Sequence, residues 1–415
     1  MSTANDLSLW KTAAIVPTQA APGKLCFNLV LLFVISLYAL PAQLFPALEV
    51  LHPAQVIAVS ALAALVLEKL TLRQSFVLGW PEGYLLLAFV GAAVLSTFSA
   101  FWPLRAYEAS LDLIRIVIAY FLIVNTVVTE KRLRAFVLAM VIGGLFPALG
   151  TLNGYIHGDL IEGRAHWIGI FGNPNELAYI LVMLVPLAAV LAGRARYSMR
   201  IMLWAAISLY VAVIYLTFSR GSLMGLFAVV ALFAIRQRGV LLKVVTGLLL
   251  AGGLAFMAAS WTRSDGLSNI NQDYTFQQRI ETIKAGIAMF AAHPFAGVGI
   301  NCAIVAFPLY ASEDFRAKGA LVIHNTIIQA LSETGVLGFV PFSLLMACGL
   351  YHARKAASSD GLQPAGRRIA AGLEISLYGA MICGLSGGFL LSWFPYLVIG
   401  LISSTRQIAG AASHE

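Results

Sequence analysis

The stretch that decides the fold runs from residue 320 to residue 340 and reads "ALVIHNTIIQALSETGVLGFV". From Ile327 onward it is mostly apolar, like the start of a helix that crosses a membrane, which takes about 20 such residues. His324 and Asn325 stand at the entrance of this predicted helix, and Glu333 lies a little over two turns inside it. An unpaired carboxylate at that depth is costly, so these polar residues need a structural or a chemical reason.

Apolar stretches of the same kind recur along nearly the whole chain. Of its 415 residues, 60% are hydrophobic and only 11% are charged, and the mean hydropathy is +0.85, whereas soluble proteins carry about 25% charged residues. Because lipid offers no hydrogen bonds to the backbone, helices are the plausible spanning form. The sequence therefore predicts an all-α, polytopic integral membrane protein with one transmembrane helical domain over 1–415. About twelve spans are predicted, at 25–45, 50–68, 83–101, 109–128, 133–153, 174–193, 200–218, 221–236, 240–261, 324–352, 369–389 and 391–405.

The distribution of basic residues predicts the orientation of these spans. With the N-terminus on the cytoplasmic side, eighteen of the 27 Lys and Arg residues fall on the inner side and eight fall in outer loops. Cytoplasmic loops carry such an excess, so both termini are predicted to be cytoplasmic. The net charge of +8 then reflects topology, and no nucleic-acid partner is predicted. The cysteines, at 26, 302, 348 and 383, suggest neither a disulfide framework nor a zinc site.

Two outer segments are longer than simple connections. One covers about 154–173, and the other, 262–323, is predicted to be a large loop outside the membrane. Within the larger loop, Pro294 marks the predicted end of a helix. That helix is predicted to be amphipathic and to lie across the outer face of the bundle, because apolar residues recur at helical spacing at Phe276, Ile280, Ile283, Ile287 and Phe290.

Arginines in the outer segments are candidates for binding phosphate. Arg220 lies between two predicted spans, Arg279 opens the amphipathic helix, and Arg164 lies in the first long outer loop. The planar, permanently charged guanidinium suits phosphate oxygens, so several at one membrane surface would bind a pyrophosphate carried on a lipid. The alternative is that each arginine anchors at the interface or pairs with a nearby carboxylate.

Polar residues beside the arginines are candidates for catalysis and binding. The unperturbed pKa of histidine, about 6.5, makes His324 a natural general base, although His324 and Asn325 could simply begin a helix with Asn325 as its cap. Glu333 could pair with an arginine, orient a neighbour, or be an acid satisfied by packing near a cavity. Asn173 and Asn175, in "GNPNELAY", could contact sugar or phosphate or could initiate the following span.

Two kinds of motif are missing from the sequence. The outer loops contain no Asp-x-Asp pair, and Mg²⁺ or Mn²⁺ sites normally use carboxylate oxygens. No Gly-x-x-x-x-Gly-Lys phosphate loop occurs anywhere in the chain. The sequence therefore predicts no metal site, no cofactor and no ATP-driven function.

Taken together, these motifs resemble the O-antigen ligase and O-antigen polymerase superfamily of bacterial envelope enzymes. The segment "HNTIIQALSETGVLG" is similar to the ligases' pattern of His, then Asn, Ser or Gln, nine residues, Gly, two residues and Gly, with no departure. The segments "FSRGS" at 218–222, "QQRIETIKAGIAMFAAHPFAGVGIN" at 277–301 with the stretch on to Tyr310, and "GIFGNPNELA" at 169–178 are similar to other landmarks of the family. The resemblance is strongest over about 165–340.

The resemblance implies a fold related to C-type membrane glycosyltransferases and a metal-independent glycosyltransferase at the periplasmic face of the bacterial inner membrane. The donor would be a glycan on undecaprenyl pyrophosphate, and the acceptor would be a sugar of the lipid A–core. Arg220 and Arg279 would bind the pyrophosphate, and His324 would activate the acceptor hydroxyl. In-line attack would invert the anomeric carbon.

Several other functions stay open. A polymerase would use the same donor but another lipid-linked glycan as acceptor, and a protein oligosaccharyltransferase would glycosylate a protein. A lipid-glycan transporter is a further alternative, which would place charged groups near the bilayer midplane. In this sequence the candidate polar groups crowd the outer face. Arg115 and Asp112 lie within the fourth predicted span but near its outer end, and their spacing of three residues predicts that they pair with each other.

Overall fold

The computed structural model describes residues 23–236, 274–317 and 319–412, together with Gly239, Gly247 and Gly252. In the first part of the chain the helices are α1 (Lys24–Ala39), α2 (Pro41–Leu44), α3 (Pro53–Thr71), α4 (Glu82–Ser96), α5 (Pro103–Thr126), α6 (Glu130–Gly143), α7 (Leu145–Ile156), α8 (Pro174–Ala192), α9 (Tyr197–Leu216) and α10 (Arg220–Arg236). The later helices are α11 (Tyr274–Ala292), α12 (Ala303–Tyr310), α13 (Glu313–Arg316), α14 (Thr326–Ala357), α15 (Pro364–Gly384) and α16 (Trp393–Ala412). A short antiparallel hairpin, β1 (Leu160–Ile161) and β2 (Arg164–Ala165), precedes α8.

Within the described residues, seven helical segments are long and apolar enough to cross a membrane. They confirm an all-α polytopic membrane protein, and they are Pro46–Thr71, Glu82–Ser99, Pro103–Thr126, Glu130–Ile156, Pro174–Ala192, Tyr197–Leu216 and Thr326–Ala357. Helices also lie at the predicted spans 25–45, 221–236, 369–389 and 391–405. The predicted span 240–261 falls almost wholly outside the described residues, so the number twelve stays a prediction.

The centre of the bundle is formed by α8, α14 and α15. Helix α8 packs mainly against α9 and α15, and α14 packs mainly against α4 and α15. Small residues allow α15 to come close to its neighbours: a Cβ at Gly379 would lie 2.8 Å from a methyl group of Val229 on α10. We call the end of the bundle where α8 and α14 begin the outer end, following the orientation predicted from the charges, and the opposite end the inner end.

Helix α14 is broken at Gly335, which has φ 57° and ψ −162°. In a continuous helix the N–H groups of residues 336 and 337 would donate to the carbonyls of residues 332 and 333. Here a turn at residues 294–299, the inserted turn, takes up all four groups, as an apolar surrounding requires. Val336 N donates to Pro294 O (2.8 Å), Leu337 N donates to Phe295 O (3.2 Å), and Ser332 O and Glu333 O accept from Val298 N (2.9 Å) and Gly299 N (3.1 Å).

Both glycines of the His-Asn-x9-Gly-x-x-Gly motif have a structural reason to be glycine. A Cβ at Gly335 would lie 2.2 Å from Phe295 O of the inserted turn, and a Cβ at Gly338 would lie 2.2 Å from the Thr334 hydroxyl. The inserted turn follows α11, and α14 begins just after His324. The break therefore fixes the position of α11 relative to the start of α14.

Helix α11 confirms the helix predicted before Pro294, but its burial differs from that of a soluble amphipathic helix. Phe276, Ile280 and Ile287 of the apolar stripe are exposed. The buried positions facing the bundle are Glu281, Thr282, Ala285, Gly286 and Met289. At a membrane the apolar side chains have a favourable environment outside the protein, so the more polar face can pack inward.

Candidate active site

A cavity of about 590 Å³ opens at the outer end of the bundle. Three segments form its wall: the hairpin and loop before α8, the first turns of α11, and the residues that precede α14. Five of the eight predicted site residues lie together in it. The lining is Ile161, Glu162, Arg164, Gly172, Asn173, Pro174, Asn175, Gln278, Arg279 and His324.

Arg164 is held by hydrogen bonds on one side of this cavity. Its Nε donates to the carbonyl of Thr217 at 2.7 Å, and its Nη2 donates to Asn175 Oδ1 at 2.6 Å. Asn173 caps α8, because its Oδ1 accepts the N–H of Asn175 at 2.9 Å. In the structure, one of the two asparagines starts α8 and the other fixes a guanidinium, and their contact with substrate stays a prediction.

Arg279 reaches the cavity from α11. Its Nη1 donates to the hydroxyl of Ser386, just beyond α15, at 3.0 Å. Gly221, at the start of α10, packs so closely on Ser386 that a Cβ would collide with this hydroxyl. Arg220 is adjacent in sequence and half-buried. Although Arg220 is not among the residues that line the cavity, its backbone lies beside the contact that holds Arg279.

His324 lies half-buried in the same cavity, close to both arginines. Burial, together with the positive charges of Arg279 and Arg164, lowers the pKa of His324 to about 4. The imidazole is therefore neutral at pH 7 and can accept a proton.

Asn325 caps the N-terminus of α14, which is the structural role that the sequence offered as the alternative to substrate binding. Its Oδ1 accepts the N–H groups of Ile327 (3.0 Å) and Ile328 (3.1 Å), and its Nδ2 donates to Leu385 O at 3.1 Å. These three bonds fix the residue that follows His324. Asn325 lies outside the cavity lining, and direct contact with substrate stays a prediction.

Glu333 is buried and also lies outside the cavity lining. One carboxylate oxygen accepts the backbone N–H of Asn301 at 2.9 Å, and Gln329 Nε2 lies 3.3 Å from the same oxygen. The carboxylate thus fastens the segment after the inserted turn to α14. A role for Glu333 in binding substrate is a prediction that this geometry does not support directly.

Sequence reasoning missed three residues of the site. Glu162 and Gln278 line the cavity, and Ser386 holds Arg279. Gln278 could have been noticed as the neighbour of Arg279, and Glu162 lies two residues before Arg164. Ser386 carries no signal, because it comes near Arg279 only through the packing of α15 against the rest of the bundle.

A second cavity, of about 260 Å³, is almost entirely apolar. It runs among α14, α15 and α16, and it begins at Thr326 and Ile327, immediately after His324 and Asn325. Aromatic and aliphatic side chains form most of its wall. The lining is Tyr179, Thr326, Ile327, Phe342, Met346, Tyr378, Ala380, Met381, Ile382, Gly384, Leu385, Phe389, Pro395 and Tyr396.

The predicted pair of Asp112 and Arg115 is confirmed, with 2.5 Å between Oδ1 and Nη1. Both side chains are nearly half exposed. Within the part of the chain that the structure describes, no group of three His, Cys, Asp or Glu side chains is arranged to hold a metal ion.

Comparison with known proteins bears on the segment that carries most of these residues. A sequence model of the family described as O-antigen ligase matches residues 205–343, which run from within α9 to the middle of α14. No curated protein matches the chain. The match includes Arg220, Arg279 and His324, while Arg164 and the two asparagines lie before it. It confirms the resemblance seen in the motifs and supports an assignment to the O-antigen ligase family through residues 205–343.

Proposed function

We propose that the chain is an O-antigen ligase that moves a glycan from undecaprenyl pyrophosphate to a sugar of the lipid A–core. The reaction would take place at the periplasmic face of the inner membrane, in lipopolysaccharide biosynthesis. The observation that carries the proposal is that Arg164, Arg279 and His324 line one and the same outer cavity. The family match supports a glycan-transferring ligase in general, and the cavity supports the particular roles below.

The arginines would bind the pyrophosphate of the donor. Negative charge grows on the bridging oxygen as the bond from the anomeric carbon breaks. Arg164 and Arg279 are already held in place by Thr217, Asn175 and Ser386, so little reorganisation is needed to stabilise that charge. By analogy with oxyanion donors, each is worth about 3–4 kcal/mol in the transition state. Arg220, beside the Ser386 contact, would add a third guanidinium, as the resemblance implies.

His324 would act as the general base. The acceptor hydroxyl attacks the anomeric carbon from the face opposite the pyrophosphate, and its proton passes to the neutral imidazole. The new glycosidic bond forms as the bond to the leaving oxygen breaks, which inverts the anomeric configuration. Undecaprenyl pyrophosphate then leaves. A positioned base of this kind contributes roughly 10²–10⁴-fold to the rate.

The second cavity supports a substrate that is carried on a lipid. Its wall is apolar and is lined by residues of spanning helices, and two of its lining residues, Thr326 and Ile327, follow His324 and Asn325 in the chain. A polyprenyl or acyl chain would gain about 25 cal/mol for each Å² of apolar surface that it buried there. Its phosphate end would then emerge beside the arginines.

The direct test is transfer by the purified protein in detergent containing EDTA. Undecaprenyl-pyrophosphate glycan and core lipopolysaccharide are supplied, and products are separated by gel. We expect glycan on the core with the native chain, and a loss of at least about 10²-fold with His324→Ala. The matched control is His157→Ala, since His157 is an exposed histidine at the end of α7, and this variant should retain activity.

Other outcomes of this test would replace the proposal. Elongation of the lipid-linked glycan would identify a polymerase, and transfer to added acceptor proteins would identify a protein oligosaccharyltransferase. Donor that binds to the native chain without any transfer would favour a transporter. Activity that disappears in EDTA would show that the reaction needs a metal.

A further inference from the structure

Three arginines converge at the inner end of the bundle, far from the candidate active site. Arg134 lies in the second turn of α6, Arg194 lies just beyond the end of α8, and Arg368 lies in the second turn of α15. We call them the inner arginine cluster.

Helix packing brings these three positions together. On α15, a Cβ at Gly366 would lie 2.7 Å from Glu130 Oε2 at the start of α6, and a Cβ at Gly372 would lie 2.8 Å from Val190 near the end of α8. Arg368 lies between these two contacts. It is therefore flanked by Arg134, one turn beyond Glu130, and by Arg194, one turn beyond Val190.

The carboxylates among the described residues do not balance the charges of this cluster. The positive charges of Arg194 and Arg134 both act on the Arg368 guanidinium. Its Nε is buried and has no hydrogen-bond partner. Among the described residues, two nearby carboxylates pair with other arginines, Glu374 with Arg236 at 2.6 Å and Asp360 with Arg367 at 3.3 Å. Glu130, which accepts the N–H of Gln363 at 2.7 Å, leaves one negative charge beside three positive ones.

Excess basic residues at a cytoplasmic face are ordinary, and an exposed arginine there needs no ligand. The cluster differs in two respects. Like charges have been brought together, which costs energy unless an anion lies between them, and one of them has a buried donor without an acceptor. Arg134 and Arg368 also lie near the N-terminal ends of their helices, where the helix dipole favours an anion over a cation.

We propose that the inner arginine cluster binds a phosphate group, that of an anionic phospholipid headgroup in the membrane. Guanidinium groups bind phosphate oxygens in a planar, two-pronged arrangement. The cluster lies at the ends of spanning helices, at the level where headgroups lie, and basic pockets between helices on this side suit such lipids. A bound phosphate would accept from Arg368 Nε and would screen the three charges from one another. The site is independent of the proposed glycan transfer.

The test uses the full chain, purified in detergent and stripped of lipid, with its apparent melting temperature as readout. The probes are phosphatidylglycerol, zwitterionic phosphatidylcholine and inorganic phosphate. We expect phosphatidylglycerol to raise the melting temperature of the native chain clearly more than the other two. Arg368→Gln and, separately, Arg194→Gln should each need about tenfold more phosphatidylglycerol for half the effect, as expected from the loss of one charge-assisted bond. Arg194 is exposed, so its variant tests the site even if Arg368→Gln folds poorly.

The matched control is Arg367→Gln. Arg367 is adjacent to Arg368 on α15 but pairs with Asp360, so its loss should leave the phosphatidylglycerol response unchanged. If Arg367→Gln weakened the phosphatidylglycerol response as much as the cluster variants do, the response would depend only on the net charge of the protein, and the proposal would be overturned. An equal response of the native chain to phosphatidylcholine, or the absence of any response, would also overturn it. If inorganic phosphate raised the melting temperature as much as phosphatidylglycerol does, the proposal of a lipid ligand would be overturned and the cluster would be a site for free phosphate.

Discussion

His324 would titrate differently before and after donor binding. In the structure, burial and the charges of Arg279 and Arg164 hold its pKa at about 4. A bound pyrophosphate would neutralise much of the positive charge on the two arginines. The protonated imidazole would then be less disfavoured, so the pKa of His324 would rise towards its ordinary value. The base would become stronger when the donor is in place, which suits a group that removes a proton only after the donor has bound.

This mechanism predicts the pH dependence of transfer. A general base must be neutral, so activity falls as pH falls through the pKa of His324. Since kcat/KM for the donor reports the free enzyme, we expect its acidic limb near pH 4. The acidic limb of kcat reports the complex and should lie at a higher pH. The measurement is a pH series of kcat at saturating donor and acceptor, and of kcat/KM for the donor at an acceptor concentration well below saturation. An acidic limb of kcat/KM near the ordinary histidine value of about 6.5 would contradict the arrangement.

For single residues, the sequence identified which side chains have suitable chemistry but not which neighbours hold them in place. Polar residues are rare in the chain, so His324, Arg164 and Arg279 stood out, and the structure brings all three together. Their partners could not be read from the sequence. Arg164 is held by a carbonyl of α9's end, and Arg279 by Ser386, which is far away along the chain. Such contacts depend on how helices pack, and local patterns do not encode that.

Among the elements, the break in α14 links the two helices that carry the site. The sequence predicts a continuous span at 324–352, because its apolar pattern continues through Gly335 without interruption. The break becomes visible only with its partner, the inserted turn, which supplies two acceptors and two donors. The helix at 274–292 was predictable from its period. The face that this helix buries was not predictable from the sequence. At a membrane surface, the spacing of apolar residues does not tell whether they face the lipid or the rest of the protein.

Replacing Gly335 by alanine should separate these two elements. Its φ of 57° and ψ of −162° belong to a region that is essentially restricted to glycine, and a Cβ would lie 2.2 Å from Phe295 O. We expect Gly335→Ala to destabilise the protein by about 1–3 kcal/mol and to reduce transfer, because Arg279 and His324 would lose their fixed relation. The measurements are the apparent melting temperature in detergent and the rate of glycan transfer.

The control for this substitution is Gly91→Ala. Gly91 lies within α4, and a Cβ there would meet nothing within 4 Å. Alanine favours a helix over glycine by about 1 kcal/mol, so the melting temperature should stay the same or rise slightly. Equal behaviour of the two variants would show that the inserted turn does not depend on the conformation of Gly335.

For the molecule as a whole, the two ends of the bundle carry different chemistry. The outer end has the cavity with the imidazole and two arginines, and the inner end has the arginine cluster around Arg368. Helix α9 connects the two ends. It begins near the inner end at Tyr197, and Thr217, the residue that follows its last turn, accepts a hydrogen bond from Arg164 at the outer cavity. This arrangement follows the orientation predicted from the basic residues, in which the site faces the periplasm.

The orientation can be measured with single cysteines at the two ends. Ser198, at the start of α9, and His157, at the end of α7, are both exposed. Of the native cysteines, Cys26, Cys302 and Cys383 are buried and Cys348 is half-buried, so the background should be low. We expect a membrane-impermeant maleimide to label His157→Cys in spheroplasts with an intact inner membrane, and to label Ser198→Cys only in inverted vesicles. The positive-inside distribution requires this pattern. The reverse pattern would put the cavity on the cytoplasmic side, where a periplasmic acceptor could not reach it, and would rule out ligation to the lipid A–core there.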